Sequence, residues 1–272
     1  MTCPHCQSST ARRRKQRTAL GYRTFWCASC RRRFNERTGT PFNELQYPTD
    51  VVLLAVLWRL RYKLSFRDVE ELLLQRGYVV SHETIRVWES RFAPLVTQQL
   101  RGRRHGRIGA SWYLDETYVK VAGRWCYLYR AVDRDGTLID SMLSEHRNRA
   151  AARKFLRRLV AVAERKPEQV TTDRHPSYPR AIRWIAGRKA VHRTTQYLNN
   201  FTEQSHRAIK QRYYPMRGFG NFESASGFCT AFDELDNYLR MRRRGEQRPS
   251  LSDQRRLFND RWRALIADLS AA

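Results

Sequence analysis

Acidic residues are scarce in this chain. Its 272 residues hold 26 Asp and Glu against 52 Lys and Arg, a formal net charge of +26. An excess of that size favours a nucleic-acid partner, because neutralising phosphates gives affinity that is independent of base sequence. Long apolar runs are also missing. The longest, Val51 to Trp58, is too short to cross a bilayer. The start, Met1-Thr2-Cys3-Pro4-His5, lacks the apolar stretch of a secretory signal. No repeat recurs at solenoid periods. These absences argue against a membrane protein, a secreted protein and a repeat array, and a cytoplasmic, nucleoid-associated protein is expected. Disulfides are disfavoured in that compartment, so the six cysteines need another explanation. Hydrophobic residues make up 41%, enough for most of the chain to fold, as one to three domains.

Four of the cysteines form two Cys-x-x-Cys knuckles, Cys3 with Cys6 and Cys27 with Cys30, separated by Gln7 to Trp26. That spacing suits a tetrahedral four-thiolate Zn²⁺ site. Such a site is structural, since four thiolates leave no open coordination position. The unit, residues 1–42, is too small for a core of its own, so metal binding is expected to supply its folding energy. Arg12, Arg13 and Arg14 lie between the knuckles, and Arg31, Arg32 and Arg33 follow the second. This basic rim fits DNA contact, although zinc ribbons also bind proteins. Cys126 and Cys229 stand alone and read as buried apolar residues.

Residues 47–98 read as three helices. Thr49 opens the first. Ser65 begins Ser-Phe-Arg-Asp, a capping-box pattern completed by Asp68, and Gly77 ends the second. Ser81 caps the third, with Ile85, Trp88 and Phe92 on one face and Arg86 and Arg91 largely off it. Exposed basic residues on a helix–turn–helix pair favour a DNA-binding helix-turn-helix over a plain bundle, with Arg86 and Arg91 as DNA contacts. Arg101 to Arg107 reads as a basic linker that could also touch a phosphate backbone.

From Ala110 the pattern turns to strands. Three are expected, Ser111 to Val121, Trp125 to Val132 and Thr137 to Leu143, joined at Gly123 and at Asp135-Gly136. A basic amphipathic helix follows over 149–164, then a strand over 169–172, a helix near 181–185, a strand near 190–195 and a helix holding Glu203. This order is the one expected of a ribonuclease H-like α/β domain, a mixed five-stranded sheet with helices, spanning residues 108–242. Residues 243–272 form a basic, helical C-terminal tail in this reading, with Phe258, Trp262 and Leu265 in a stripe.

Three acids stand out within that domain. Asp115 interrupts an apolar, aromatic strand, where Asp is disfavoured. Asp173 closes a β-branched run, and sites form at strand ends in α/β sheets. Glu203 is the only carboxylate between Asp173 and Glu223. Glu203, His206 and Lys210 are spaced to share one helical face, where a ligand, an imidazole and a cation would suit a phosphodiester. Glu116 is expected to point away from its neighbour Asp115. A cluster of acids in a cationic chain suggests hard divalent ions acting on a polyanion.

Leu114-Asp115-Glu116-Thr117-Tyr118-Val119-Lys120-Val121, Gly123-Arg124-Trp125 and Tyr127 to Asp133 resemble the core of insertion-sequence DDE transposases of the IS6 group. Asn200, Glu203, His206 and Lys210 are similar to that group's last catalytic helix. The resemblance covers about residues 47–242. It implies Asp115, Asp173 and Glu203 as ligands of two Mg²⁺ (or Mn²⁺) ions, Lys210 as a DNA contact near the cleavage site, and replicative transposition through a cointegrate. The four-cysteine ribbon is an addition that many relatives lack. The expected function is that of a DNA transposase. The ribbon and helix-turn-helix would recognise terminal inverted repeats, and the triad would nick the ends and transfer them to a target duplex. Synapsis of two ends implies a homodimer or higher oligomer. A DNA-binding regulator or domesticated remnant with an inactive catalytic domain, and a structure-specific nuclease, are the competing readings.

Overall fold

The computed structural model describes residues 1–103, 108–194, 200–216, 218–240 and 250–271; the side chains of 200–205, 215 and 271 lie outside this description. Contacts divide the chain into two compact units, Met1–Ala55 with Trp262–Ala272, and Val56–Arg261.

The first unit opens with an antiparallel ribbon of β1 (Ala11–Arg17), β2 (Arg23–Cys27) and β3 (Arg33–Asn35). Its apolar centre is small: Cys3, Phe25, Cys27 and Phe34, with the two rings stacked at 5.3 Å between centroids. Helix α1 (Thr49–Arg61) starts in this unit and ends in the other. Tyr22 ties the ribbon to its start, accepting from the Thr49 N–H at 2.8 Å and donating to the Thr49 hydroxyl at 3.1 Å. The C-terminal helix (Leu251–Ala271) contributes its last residues to the same unit and buries Leu265 and Leu269. Phe258 and Trp262 are half-buried. The arginines at 242–244 lie outside the described residues.

The second unit contains α2 (Phe66–Leu74) and α3 (His82–Gly102). Both caps form as expected. Ser65 Oγ accepts from the Asp68 N–H at 3.1 Å while Asp68 Oδ2 accepts from the Ser65 N–H at 2.6 Å, and Ser81 accepts from the Thr84 N–H. A reciprocal cap of this kind contributes about 1 kcal/mol. Helix α3 does not stop at the expected linker. It continues to Gly102, and Arg101 in its last turn pairs with Asp140 and, at 3.1 Å, with Glu234. Both carboxylates are buried, so this arginine belongs to the fold and not to a loose basic loop. Residues 104–107 of the expected linker lie outside the described residues.

The sheet consists of β4 (Ser111–Val121), β5 (Arg124–Asp133), β6 (Leu138–Ser144), β7 (Gln169–Thr171) and β8 (Val191–Arg193) in the order β6-β5-β4-β7-β8. The first three are antiparallel, and β7 and β8 run parallel to β4. Helices α4 (Arg149–Ala163), α5 (Tyr178–Ala186) and α6 (Asn200–Tyr213) connect and follow them. This is the mixed, ribonuclease H-like arrangement read from the sequence. Ala122 (φ 47°) and Gly123 (φ 79°) both take left-handed conformations, as a two-residue hairpin turn between right-twisted strands requires. Trp112, Leu114 and Tyr129 pack beneath Phe155, Leu159 and Tyr178 of α4 and α5. Each such side chain contributes about 1.5–3 kcal/mol on burial.

The opposite face receives α6 and an element the sequence reading missed, α7 (Phe222–Leu239). Its inward face carries Asp233 and Glu234, both buried. Asp233 meets Arg130 at 3.1 Å and Glu234 meets Arg101. Buried acids break the apolar stripe by which an amphipathic helix is read. The segment expected to form a helix-turn-helix is joined to the sheet domain through packing of α3 on α7.

Candidate active site and metal centres

Strand pairing builds the acidic site. The parallel β4–β7 pairing ends with Tyr113 opposite Thr171, and just beyond that end the carboxylates of Asp115 and Asp173 come close together. Asp115, Glu116 and Asp173 each offer an oxygen, and these atoms lie within 4.8 Å of one another. Glu116 does face the α4–α5 side, where Tyr178 donates its hydroxyl to Oε1, yet its carboxylate remains within reach of the other two. Alternation does turn Glu116 to the other face, as expected, but its side chain is long enough to keep a carboxylate oxygen within 4.8 Å of the other two.

The site carries a cation of its own. Arg147, in the loop between β6 and α4, bonds Asp173 Oδ2 and approaches Glu116 Oε2 at 3.2 Å. Against the pull of burial, those carboxylates hold the guanidinium firmly in its charged form. Asp173 is further fixed by the His175 N–H, which donates to Oδ1 at 3.0 Å. Burial pushes the Asp115 carboxyl up to about 7; the Glu116 N–H opposes this and the Glu116 and Asp173 carboxylates add to it. Burial likewise raises Glu116, against the Tyr178 hydroxyl and Arg147. Neither Arg147 nor Tyr178 was singled out from the sequence. A loop arginine and a helix-start tyrosine carry no local signal, and only the fold brings them to the acids.

Helix α6 supplies the remaining residues. His206 is 4% exposed, and its Nδ1 stands 3.6 Å from Asp115 Oδ2, too long for a hydrogen bond. Burial, with Arg130 and Lys210 nearby, lowers it to about 3, so the imidazole is neutral. Its Nε2 has no partner among the described residues. Lys210 is exposed, so the face expected to present His206 and Lys210 together is divided: one is packed against Asp115 and the other reaches solvent. Glu203 lies on α6 one turn before His206, with its side chain outside the described residues.

Three hard oxygen donors around a partly neutralised pocket match the chemistry of Mg²⁺ or Mn²⁺. Burial, with the Glu116 and Asp173 carboxylates adding to it, disfavours the charged form of Asp115, a cost that a bound divalent ion would offset.

The second cluster is built differently. Cys3 Sγ and Cys30 Sγ are 3.7 Å apart, Cys6 Sγ and Cys27 Sγ 3.6 Å apart, and all four lie within 4.8 Å of one another. Tetrahedral Zn²⁺ with sulfur at about 2.3 Å separates its ligands by about 3.8 Å, so the thiols already stand at coordination spacing. The Cys30 backbone N–H, opposed by burial and joined by the neighbouring thiols, pulls Cys27 down to about 6, toward the thiolate that a metal requires. Each knuckle is followed by a left-handed residue, Gln7 (φ 59°) and Arg31 (φ 54°). Of the expected DNA contacts, Arg12, Arg13, Arg31, Arg32, Arg33, Arg86 and Arg91 are exposed and Arg14 is half-buried. Arg86 also pairs with Glu83 at 3.3 Å. Cys126 and Cys229 are buried, as read from the sequence.

Comparison with known proteins gives the same domain. A family model described as a DDE domain, that of IS240-type transposases, matches residues 109–242. The transposase for the insertion sequence-like element IS431mec of Staphylococcus aureus is 39% identical over 175 residues, covering 63% of this chain and 77% of that protein. The transposase for insertion sequence element IS257 in transposon Tn4003, also from Staphylococcus aureus, shows the same identity and coverage. Among solved structures, the HTLV-2 integrase catalytic core domain in complex with magnesium is 14% identical, with a TM-score of 0.39 over 52% of this chain and 93% of that one. Identity of 39% over 77% of each of these two transposases makes this chain a member of the IS6 group of DDE insertion-sequence transposases.

Proposed function

We propose that the chain binds the terminal inverted repeats of its own element, nicks the ends and joins them to a target duplex, with a cointegrate as product. The observation that supports this reading is the convergence of the Asp115 and Asp173 carboxylates just past the end of the β4–β7 pairing in a chain of this family. In this proposal Asp115, Asp173 and Glu203 hold Mg²⁺ or Mn²⁺. Divalent ions held there would supply the Lewis acidity that phosphoryl transfer needs, activating an attacking oxygen and stabilising a leaving one. The protein's own residues do the rest. The Glu116 N–H, donating to Asp115 Oδ1 at 2.9 Å, and the His175 N–H aim the two aspartates. Neutral His206 walls Asp115 from water on the α6 side, and Lys210 attracts the phosphate backbone beside the scissile bond. Arg147 neutralises Asp173 and Glu116 until ions and DNA take over that charge.

Residues 1–42 serve as a zinc ribbon and 47–98 as a helix-turn-helix, which grip the ends through Arg12, Arg13, Arg14, Arg31, Arg32, Arg33, Arg86 and Arg91. Residues 108–242 form the catalytic domain. Two ends joined in one event require at least a dimer.

The test is a cell-based transposition assay, with the gene between its native flanks and wild type set beside Asp173→Ala and Glu203→Gln. Insertions or cointegrates from wild type alone support the proposal. End binding without events in any variant favours a regulator or remnant. Metal-dependent cutting without joining favours a nuclease.

A further inference from the structure

Next to Lys210 lies a surface whose aromatic residues the transposition chemistry proposed above does not use. Strand β7 leaves β4 after Tyr113, so the far edge of β4 has no strand beside it until Phe219 bridges at Val121. A groove of about 490 Å³ wraps this edge, lined mainly by Tyr118, Trp125, Tyr127, Lys210, Tyr213 and Tyr214, with no acid among its lining residues. Trp125 is 58% exposed, Tyr118 52% and Tyr214 64%. Large aromatics so exposed and contiguous mark a binding surface rather than scattered surface residues.

The platform is rigid. Tyr118 packs on Tyr127 at 5.3 Å and meets Trp125 edge-on at 6.3 Å. The Lys120 N–H donates to the Tyr213 hydroxyl at 2.6 Å, and the Phe219 N–H donates to Lys120 O at 3.1 Å. Gly218 (φ 104°) permits that closure, since a Cβ there would sit 3.0 Å from the Lys120 carbonyl.

Charge selects the occupant. Lys120, Arg124 and Lys210 are exposed around the rings. Rings that stack on any base, flanked by cations that follow a backbone, are the elements of single-strand recognition. Tyr118 lies three residues, about 10 Å, along β4 from Asp115. Resting on the transposase reading, we infer that this groove grips unpaired nucleotides of the DNA strand next to the bond cut at Asp115 and Asp173.

The experiment measures binding of the full chain to a blunt duplex end, to the same end with a short single-stranded tail, and to a single-stranded oligonucleotide. Wild type is compared with Trp125→Ala, Tyr118→Ala, Trp125→Phe and Tyr214→Ala, all exposed positions. Each alanine should weaken tail and single-strand binding about tenfold while blunt-end binding holds, and Trp125→Phe should restore most of the loss. Equal loss on blunt and tailed DNA, or no loss on either, overturns the inference. So does loss of self-association in sedimentation with DNA binding intact, which would make the groove an interface for a second copy. Ring-dependent tail binding without Asp173-dependent transposition would leave the groove standing and remove the functional reading. Transposition unaffected by the ring variants would do the reverse.

Discussion

The two ligand clusters of this protein are opposites. The thiolate cluster is assembled from two near-identical knuckles whose sulfurs stand at tetrahedral spacing and leave no open position. The carboxylate cluster is assembled from adjacent residues on β4 and one from the end of β7, with an arginine of the same chain bonded to it. Soft, closed and local describes the first; hard, open and dispersed describes the second. A metal that only holds a fold needs nothing beyond its ligands. A metal that works on a substrate needs ligands rigid enough to aim and a place left for the substrate. The sheet supplies that rigidity because β4 is hydrogen-bonded along its whole length to β5.

The largest expected effect breaks the first cluster. Structural zinc supplies about 10–16 kcal/mol to a small unit, so chelation should unfold β1–β3 and leave the β4–β8 sheet intact. Hydrogen exchange reads this directly: ribbon amides should lose protection while sheet amides keep theirs, and equal protection before and after would refute a folding role. The second effect breaks the other cluster without unfolding anything. Asp173→Ala should lower strand joining by about 10³-fold or more on pre-cut ends, with an unchanged circular dichroism spectrum.

A third measurement sharpens the contrast. Arg147→Met should destabilise the metal-free protein by about 2 kcal/mol, short of the about 3–5 kcal/mol of a fully buried pair, because Tyr178 still bonds Glu116. Saturating Mg²⁺ should shrink that loss, since the ion replaces the missing charge; melting curves with and without Mg²⁺ that shift equally would show that Arg147 is not standing in for a cation. The smallest effect probes the knuckle. Gln7→Gly removes a left-handed strain of about 1–2 kcal/mol and adds a glycine entropy cost of about 0.5–1 kcal/mol. The zinc-loaded melting temperature should therefore move by only a few degrees, and a large drop would mean that the Gln7 side chain itself supports the site.

Much of this architecture was legible in the sequence. The caps at Ser65 and Ser81, the hairpin at Gly123, the succession of strands and helices from β4 to α6 and the buried Cys126 and Cys229 all follow from local patterns. What was misread has one cause. Helix α3 outran its expected end because Arg101 finds Asp140 and Glu234, and α7 escaped notice because its inward face holds Asp233 and Glu234. Polar residues look like surface until the partner that buries them is known. His206, expected on a shared polar face, is packed against Asp115 for the same reason, since its burial depends on α6 docking against β4.

By itself the sequence determined which cysteines form the four-cysteine cluster, since two residues of spacing set a knuckle, and it determined the cationic character that suits DNA. Only the tertiary structure decided that the Glu116 carboxylate lies near those of Asp115 and Asp173, that Arg147 pairs with Glu116 and Asp173, and that aromatics of β4, β5 and the end of α6 line one groove. Arg147 and Asp173 are far in the chain from Asp115 and Glu116, as Tyr213 and Tyr214 are from Tyr118 and Trp125, and what brings them together is the pairing of β7 with β4 and the return of the chain at Gly218.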